Sequence, residues 1–259
     1  MIGRLGNKRG SSASSINLRP MQVEMKPERP FYAIGDIHGC LDQLHAALNR
    51  VDDDVEALNI DDPTLVFLGD YVDRGPASAQ VLEELIQLSL SDPDAVVCLM
   101  GNHERMMLDF LDDPLKAGPQ WLKFGGRETL ESYGITGVDA EAGKEQLYEA
   151  CEELWDAMPE GTEAWLRHLP LHWSTGNMHC VHAGLDPVAS IKQQSQDVML
   201  WGSNAFLKTP RSDGNWVVHG HTIVDKPIWE NSRISLDTGC YFTGELTAAA
   251  FTSNTCRIL

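Results

Sequence analysis

Five short polar clusters, far apart in the chain, carry side chains suited to binding metal. They place Asp36 and His38 in Gly35-Asp36-Ile37-His38-Gly39, Asp70 in Gly69-Asp70-Tyr71-Val72-Asp73-Arg74-Gly75, Asn102 in Gly101-Asn102-His103-Glu104, His182 in His182-Ala183-Gly184, and His221 in His219-Gly220-His221-Thr222. A carboxylate and an imidazole two residues apart can turn toward one ion, and glycine on either side allows a sharp turn with room for an ion or a phosphate. Together the clusters offer two carboxylates, three imidazoles and one amide. Hard oxygen and borderline nitrogen donors without a thiolate favour Mn²⁺, Fe or Zn²⁺. Six side chains exceed the need of one tetrahedral ion. If Asp70 bridges, they divide into Asp36, His38 and Asp70 for one ion and Asp70, Asn102, His182 and His221 for a second, about 3.5–4 Å away as in two-metal hydrolases.

The elements needed to hold these clusters are legible around them. An apolar run precedes each: Pro30 to Ile34, Thr64 to Leu68, Ala95 to Met100, Met178 to Val181, and Trp216 to Val218. A sixth, Ile234 to Leu236, leads into Asp237-Thr238-Gly239. Buried strands that deliver polar residues from their ends are how a sheet-based enzyme builds a site on a rigid scaffold. Leu41, Leu44, Leu48 and Val51 fall at helical spacing, as do Val81, Leu82, Leu85 and Ile86 after Pro76, which the pattern places in a helix's first turn. Residues 104–169 read as helical, with Met106, Met107, Phe110, Leu111, Trp121, Leu122, Phe124, Leu147, Tyr148, Cys151, Leu154 and Trp155 as core. From about Leu171 the chain has short strands and no long helix. The expectation is a mixed α/β fold in which two sheets pack together with helices outside.

Charge narrows the partners. The net charge is −18 over 259 residues, and residues 1–30 hold six basic groups against two acids, which leaves −22 for the rest. Such a body repels phosphate backbones, so nucleic acid is excluded as a partner, and a site for phosphorylated anions must carry its own positive charge. Residues 1–28, rich in Ser, Gly and basic groups, read as a disordered tail. No run approaches the roughly 18 apolar residues of a membrane span, and no secretory core is evident near the N-terminus. The expectation is a cytoplasmic protein without a membrane partner. The six cysteines are scattered, with no CxxC pair.

Taken in order, the five clusters resemble the metallophosphoesterase superfamily. As a set they are similar to the phosphoprotein phosphatases, in particular the compact bacterial serine/threonine protein phosphatases. Trp201, Asp237-Thr238-Gly239-Cys240 and Gly244-Glu245-Leu246-Thr247 extend the similarity over about residues 30–252. The resemblance implies a four-layer αββα sandwich with a helical insertion at about 104–169, forming a single catalytic domain over 29–259. It implies two divalent ions, Mn²⁺ foremost with Fe or Zn²⁺ as alternatives, on the six ligands named above. It also implies that Asp73 and His103 form an acid dyad that protonates the leaving group, that Arg74 grips the phosphate, and that Asn102 and His103 touch the substrate. His45, His168, His172, His179, His219 and Glu104 are read as structural.

The expected activity is metal-dependent hydrolysis of phosphoserine or phosphothreonine by direct in-line attack of a metal-bridging hydroxide, without a covalent phosphoenzyme. The alternative is a diadenosine polyphosphate or nucleotide hydrolase of the same superfamily; a non-catalytic scaffold that uses the fold to bind a partner is less favoured. The substrate is accordingly a phosphorylated protein or a small phosphoester, and the oligomeric state is left open. One departure stands out. The bacterial phosphatases carry an arginine just after the tryptophan, where this chain reads Trp201-Gly202-Ser203-Asn204. Asn204, Lys208 and Arg211 are the candidates to replace it.

Overall fold

The computed structural model describes residues 23–259. The tail expected over 1–28 therefore lies largely outside the described residues, and its last six residues depart from the expectation. The indole Nε1 of Trp216 donates to the Val23 carbonyl (2.9 Å), Lys26 N donates to Asn177 Oδ1 (2.7 Å), and Glu28 N donates to Thr175 Oγ1 (3.1 Å). Polar composition gives no sign of this, because the segment is held through its backbone.

Ten strands and ten α-helices follow in the order β1 (Phe31–Ile34), α1 (Leu41–Leu58), β2 (Thr64–Phe67), α2 (Ser78–Ser91), β3 (Val96–Cys98), α3 (Asn102–Asp112), α4 (Pro114–Trp121), α5 (Arg127–Ser132), α6 (Lys144–Ala157), α7 (Thr162–His168), β4 (His172–Thr175), β5 (Met178–Val181), α8 (Gln196–Trp201), α9 (Asn204–Lys208), β6 (Trp216–His219), β7 (Ile228–Glu230), β8 (Arg233–Ser235), α10 (Cys240–Thr243), β9 (Ala248–Thr252) and β10 (Thr255–Ile258). They form two five-stranded sheets, ordered β10-β9-β1-β2-β3 and β4-β5-β6-β8-β7. The strands that precede the polar clusters are parallel within each sheet: β1 with β2, β2 with β3, β5 with β6, and β6 with β8. Antiparallel strands flank them on one side of the first sheet, β9 and β10, and at both edges of the second, β4 and β7.

Alternation along the strands sorts the core into layers. Phe31, Ala33, Val66, Leu68 and Leu99 face Met178, Cys180, Trp216, Val218, Ile234 and Leu236 across the space between the sheets. Tyr32, Ile34 and Phe67 point the other way, into a larger core shared with α1, α2 and the helical segment. Phe124, Tyr148 and Trp155, expected in that core, are exposed: the two on α6 flank its buried stripe of Leu147, Cys151 and Leu154, and Phe124 lies in the turn after α4. On α1 the buried positions Leu44, Ala47 and Val51 share one face, and the helix ends on Asn59 in the left-handed conformation, whose amide bonds back to Val55 and Glu56. The outer face of the second sheet is covered more thinly, by Leu185, Met199 and Phe206 over Val181 and Val217. The result is the expected α/β/β/α layering, heavy on one side. Pro76 is not in a helix: α2 starts at Ser78 after Ala77, and Pro76 belongs to the preceding turn. No helix among the described residues is long and apolar enough to cross a membrane.

Candidate active site

The six polar clusters converge at the C-terminal ends of the parallel strands. Several of their residues hold backbone conformations that side chains usually avoid: His38, Asp70, Asp73, Arg74 and His221 all have positive φ, between 47° and 73°. Each such residue costs roughly 1–3 kcal/mol and persists only where its surroundings over-determine it. Those surroundings are visible. The amides of Ile37 and His38 both donate to the Asp70 carbonyl (3.0 and 2.9 Å), and Gly39 N donates to the Tyr71 carbonyl (2.8 Å). Glu104, buried at the start of α3, accepts from the amides of Asp70 (2.8 Å), Tyr71 (2.7 Å), Val72 (3.3 Å) and Gly101 (2.8 Å). It thereby ties the Asp70 loop to the Asn102 loop, the supporting role expected of it.

Two glycines are needed for close approach. A Cβ on Gly101 would overlap Asp70 Oδ1, and one on Gly220 would overlap Asp36 Oδ1. Gly35 and Gly39 serve differently from the sequence expectation, since a Cβ at either would meet a backbone carbonyl, that of Leu236 or of Gly75. They let loops pack and do not clear space for an ion.

Asp70 lies at the centre. Its Oδ2 is 3.6 Å from His38 Nε2 and 3.9 Å from His103 Nε2, and its Oδ1 is 3.3 Å from His182 Nε2. Two groups of donors able to hold an ion share it: His38, Asp70 and His103, and Asp70, His182 and His221. The Nδ1–H of His38 donates to the Val72 carbonyl (2.8 Å) and that of His182 to the Leu68 carbonyl (2.9 Å), which leaves each Nε2 with a lone pair facing the site. Burial lowers His38 to about 3 and His182 to about 4, so both imidazoles are neutral near pH 7. Asn102 Oδ1 sits 2.8 Å from His182 Nε2 and 2.9 Å from His221 Nδ1. The amide oxygen and the imidazole nitrogens thus converge on one space, an arrangement of donors that a cation would satisfy. Asp36 points the same way: burial, with Asp237 and Asp70 nearby, raises its carboxyl well above the usual range. Lone pairs aimed inward and crowded carboxylates are a donor set that fits divalent cations. Asp36 stands slightly apart from the two groups, its oxygens accepting from His221 N (3.2 and 2.9 Å).

Asp73 is completely buried, and His103 Nδ1 donates to its Oδ2 at 2.6 Å. Two residues complete its shell: Trp121, which sequence reasoning left in the core, and Thr129, which it did not single out. The indole Nε1 of Trp121 donates to both carboxylate oxygens (3.1 and 3.0 Å), and Thr129 Oγ1 donates to Oδ1 (2.6 Å). The one available signal was general: a buried tryptophan N–H finds an acceptor. His103 Nε2 is left facing the site, 3.1 Å from Arg74 NH2, while Arg74 NH1 lies 3.2 Å from His38 Nε2. Burial lowers the basicity of His103, but Asp70 and Asp73 outweigh it and raise the imidazole above its ordinary value. Tyr241, also missed, places its ring 4.8 Å below the Arg74 guanidinium and edge-on to His38.

Of the histidines read as structural, His219 is bonded to Gly220 O and Ser235, His172 pairs with His179, His168 Nδ1 contacts the Ala164 carbonyl and His45 lies near Glu84. Arg211 is no phosphate arm. It is buried against Asp213 and the carbonyls of Asp186 and Ala189.

The calcineurin-like phosphoesterase family model matches residues 29–251. The chain belongs to that family. It is 29% identical over 247 residues to the bis(5'-nucleosyl)-tetraphosphatase PrpE [asymmetrical] of Anoxybacillus flavithermus, covering 84% of this chain and 89% of the relative, and 27% identical to the protein of the same name from Bacillus subtilis, covering 84% and 89%. Among solved structures it is similar in fold to one provisionally assigned as a diadenosine tetraphosphatase, with a TM-score of 0.59 and 21% identity over 89% of this chain and 93% of that one. These relatives overturn the serine/threonine phosphatase expectation in favour of its alternative. The physical reason is that the five clusters encode the handling of a phosphoryl group, which both chemistries share, and nothing in them touches the rest of the substrate.

Proposed function

We propose that the protein hydrolyses dinucleoside polyphosphates, cutting one phosphoanhydride of a dinucleoside tetraphosphate asymmetrically. The observation that carries this reading is the run of tetraphosphatase relatives aligned across 84% of the chain. His38, Asp70, Asn102, His182 and His221, with Asp36 beside them, would hold two divalent ions. When bound, the ions supply positive charge that neutralises the phosphoryl oxygens and acidifies water for in-line attack. Arg74, fixed over Tyr241, binds the phosphate and faces the charge that develops on its oxygens. His103, oriented through Nδ1 by Asp73, presents Nε2 to the leaving oxygen. Trp121 and Thr129 keep Asp73 in place, which fixes the tautomer and tilt of the imidazole. A phosphate leaving group is far less basic than a serine alkoxide, so this acid is under less demand than in phosphoserine hydrolysis.

The test is a substrate comparison with the purified protein and Mn²⁺, Fe²⁺, Zn²⁺ or Mg²⁺, with products separated by ion exchange. Diadenosine tetraphosphate should yield ATP and AMP, at a kcat/KM well above that for any phosphopeptide. Cleavage of phosphopeptides with no attack on the dinucleotide under any metal would overturn the proposal.

A further inference from the structure

A polar cavity of about 520 Å³ opens beside Arg74, outside the metal-ligand cluster, and its walls combine positive charge with exposed aromatic rings. The helical segment forms one wall. Between α4 and α5 the chain makes a single wide turn, Leu122–Gly126, interrupted at Gly125 with φ 113°. The Gly125 carbonyl accepts from Arg74 N (3.1 Å), and a Cβ at Gly125 would stand 2.7 Å from that nitrogen. Only glycine permits this contact without strain, and through it Lys123 and Phe124 are delivered next to the phosphate-binding arginine. Phe124 is 46% exposed and Tyr241, across the opening toward His38, is 37% exposed.

Lys123 enters no ion pair among the described residues, unlike its neighbour Arg127, which is taken up by Glu128 and Glu131. In a chain of charge −18, a lysine outside any ion pair among the described residues lies together with two exposed rings beside Arg74. The cavity also contains Glu128, Asp139 and Glu141. Those acids would repel a long run of phosphates while tolerating a neutral sugar and base. Stacking of a base on an aromatic side chain is worth about 1–3 kcal/mol.

We propose that this cavity is the subsite for the part of the substrate beyond the reacting phosphate: Lys123 neutralises the neighbouring phosphates, and Phe124 provides a stacking face for the terminal nucleoside, with Tyr241 holding Arg74 at the other side of the opening. The proposal rests on the dinucleoside polyphosphate reading and adds the residues that select it. It also supplies a cation that the Gly202-Ser203-Asn204 segment lacks.

The experiment compares Lys123→Ala and Phe124→Ala with wild type at fixed free Mn²⁺, on diadenosine tetraphosphate and on p-nitrophenyl phosphate, and measures inhibition of the latter by ATP and by inorganic tripolyphosphate. Each variant should raise the KM for the dinucleotide roughly tenfold with little change in kcat, the pattern of lost uniform binding, and affect p-nitrophenyl phosphate far less. ATP inhibition should weaken in both variants and tripolyphosphate inhibition only in Lys123→Ala. If wild type cleaves the dinucleotide while neither variant moves KM or ATP inhibition, the subsite is wrong and the activity stands. If wild type ignores the dinucleotide but ATP inhibition depends on both side chains, the subsite stands and the assigned activity falls.

Discussion

A hydrogen bond of 2.6 Å inside a fully buried pocket makes Asp73 and His103 one unit, and its consequences can be measured through the leaving group. General acid catalysis is typically worth about 10²–10⁴-fold, and more as the leaving group becomes more basic. His103→Asn should therefore cost about that factor on phenyl phosphate, whose phenol has a pKa of about 10, and much less on p-nitrophenyl phosphate or a dinucleotide; equal losses on all three would exclude the acid role. Trp121→Phe removes one N–H from the Asp73 carboxylate, a charged hydrogen bond worth about 1.5–3 kcal/mol. It should lower kcat on phenyl phosphate by roughly tenfold or more at nearly constant KM, as steady-state kinetics would register. The residues proposed as ligands and dyad could be singled out because each follows a buried strand within a few residues. Trp121 and Thr129 were not, because their link to Asp73 spans 48 and 56 residues and depends on how a helical segment packs, which spacing does not record.

At the level of elements, the loops after β2 and β3 are bound together by one side chain. Glu104→Ala would leave four buried amides without their acceptor, at about 1–3 kcal/mol for each that water cannot reach. Urea denaturation should show a loss on the order of 3 kcal/mol or more, and an unchanged midpoint would refute this account of the loops. A second tie joins α1 to β10: Asp54 accepts from both terminal nitrogens of Arg257 (2.6 and 2.7 Å) and from the Tyr32 hydroxyl (2.7 Å). The Arg257 bond holds the Asp54 carboxyl below its ordinary range. A depressed carboxylate contributes stability above its unfolded pKa and loses it as pH falls through the folded one. Asp54→Asn should thus unfold more easily than wild type at pH 7, by about 1 kcal/mol for a partly exposed pair, with the gap closing in acid below the unfolded carboxylate pKa of about 4. Strand positions and the long amphipathic helices were readable from periodicity. The wide turn at Leu122–Gly126 was not, since its reason is the approach to Arg74 and no local preference predicts it.

For the molecule as a whole, a buried cluster of like-charged carboxylates makes folding and metal binding one equilibrium. Chelation should lower the melting temperature and abolish hydrolysis, with both restored by divalent ions; at a hundredfold excess over Kd one ion stabilises by about 2.7 kcal/mol. Asp70→Asn should reduce the metal-dependent part of that shift, and a full shift in the variant would remove Asp70 from the shared position. The layered fold and the reaction class were in the sequence because ligand-bearing loops recur at fixed places in the strand order. The substrate was not, because those loops encode only the handling of a phosphoryl group. The bond from His221 N to the Asp36 carboxylate crosses 185 residues, and it bears on when activity can first exist. During synthesis the early loops emerge long before His182 and His221, so a nascent or truncated chain contains half of the candidate site. A chain ending before Trp216 should be inert in a hydrolysis assay even if its first sheet forms, which makes the reaction a report on the completion of the fold.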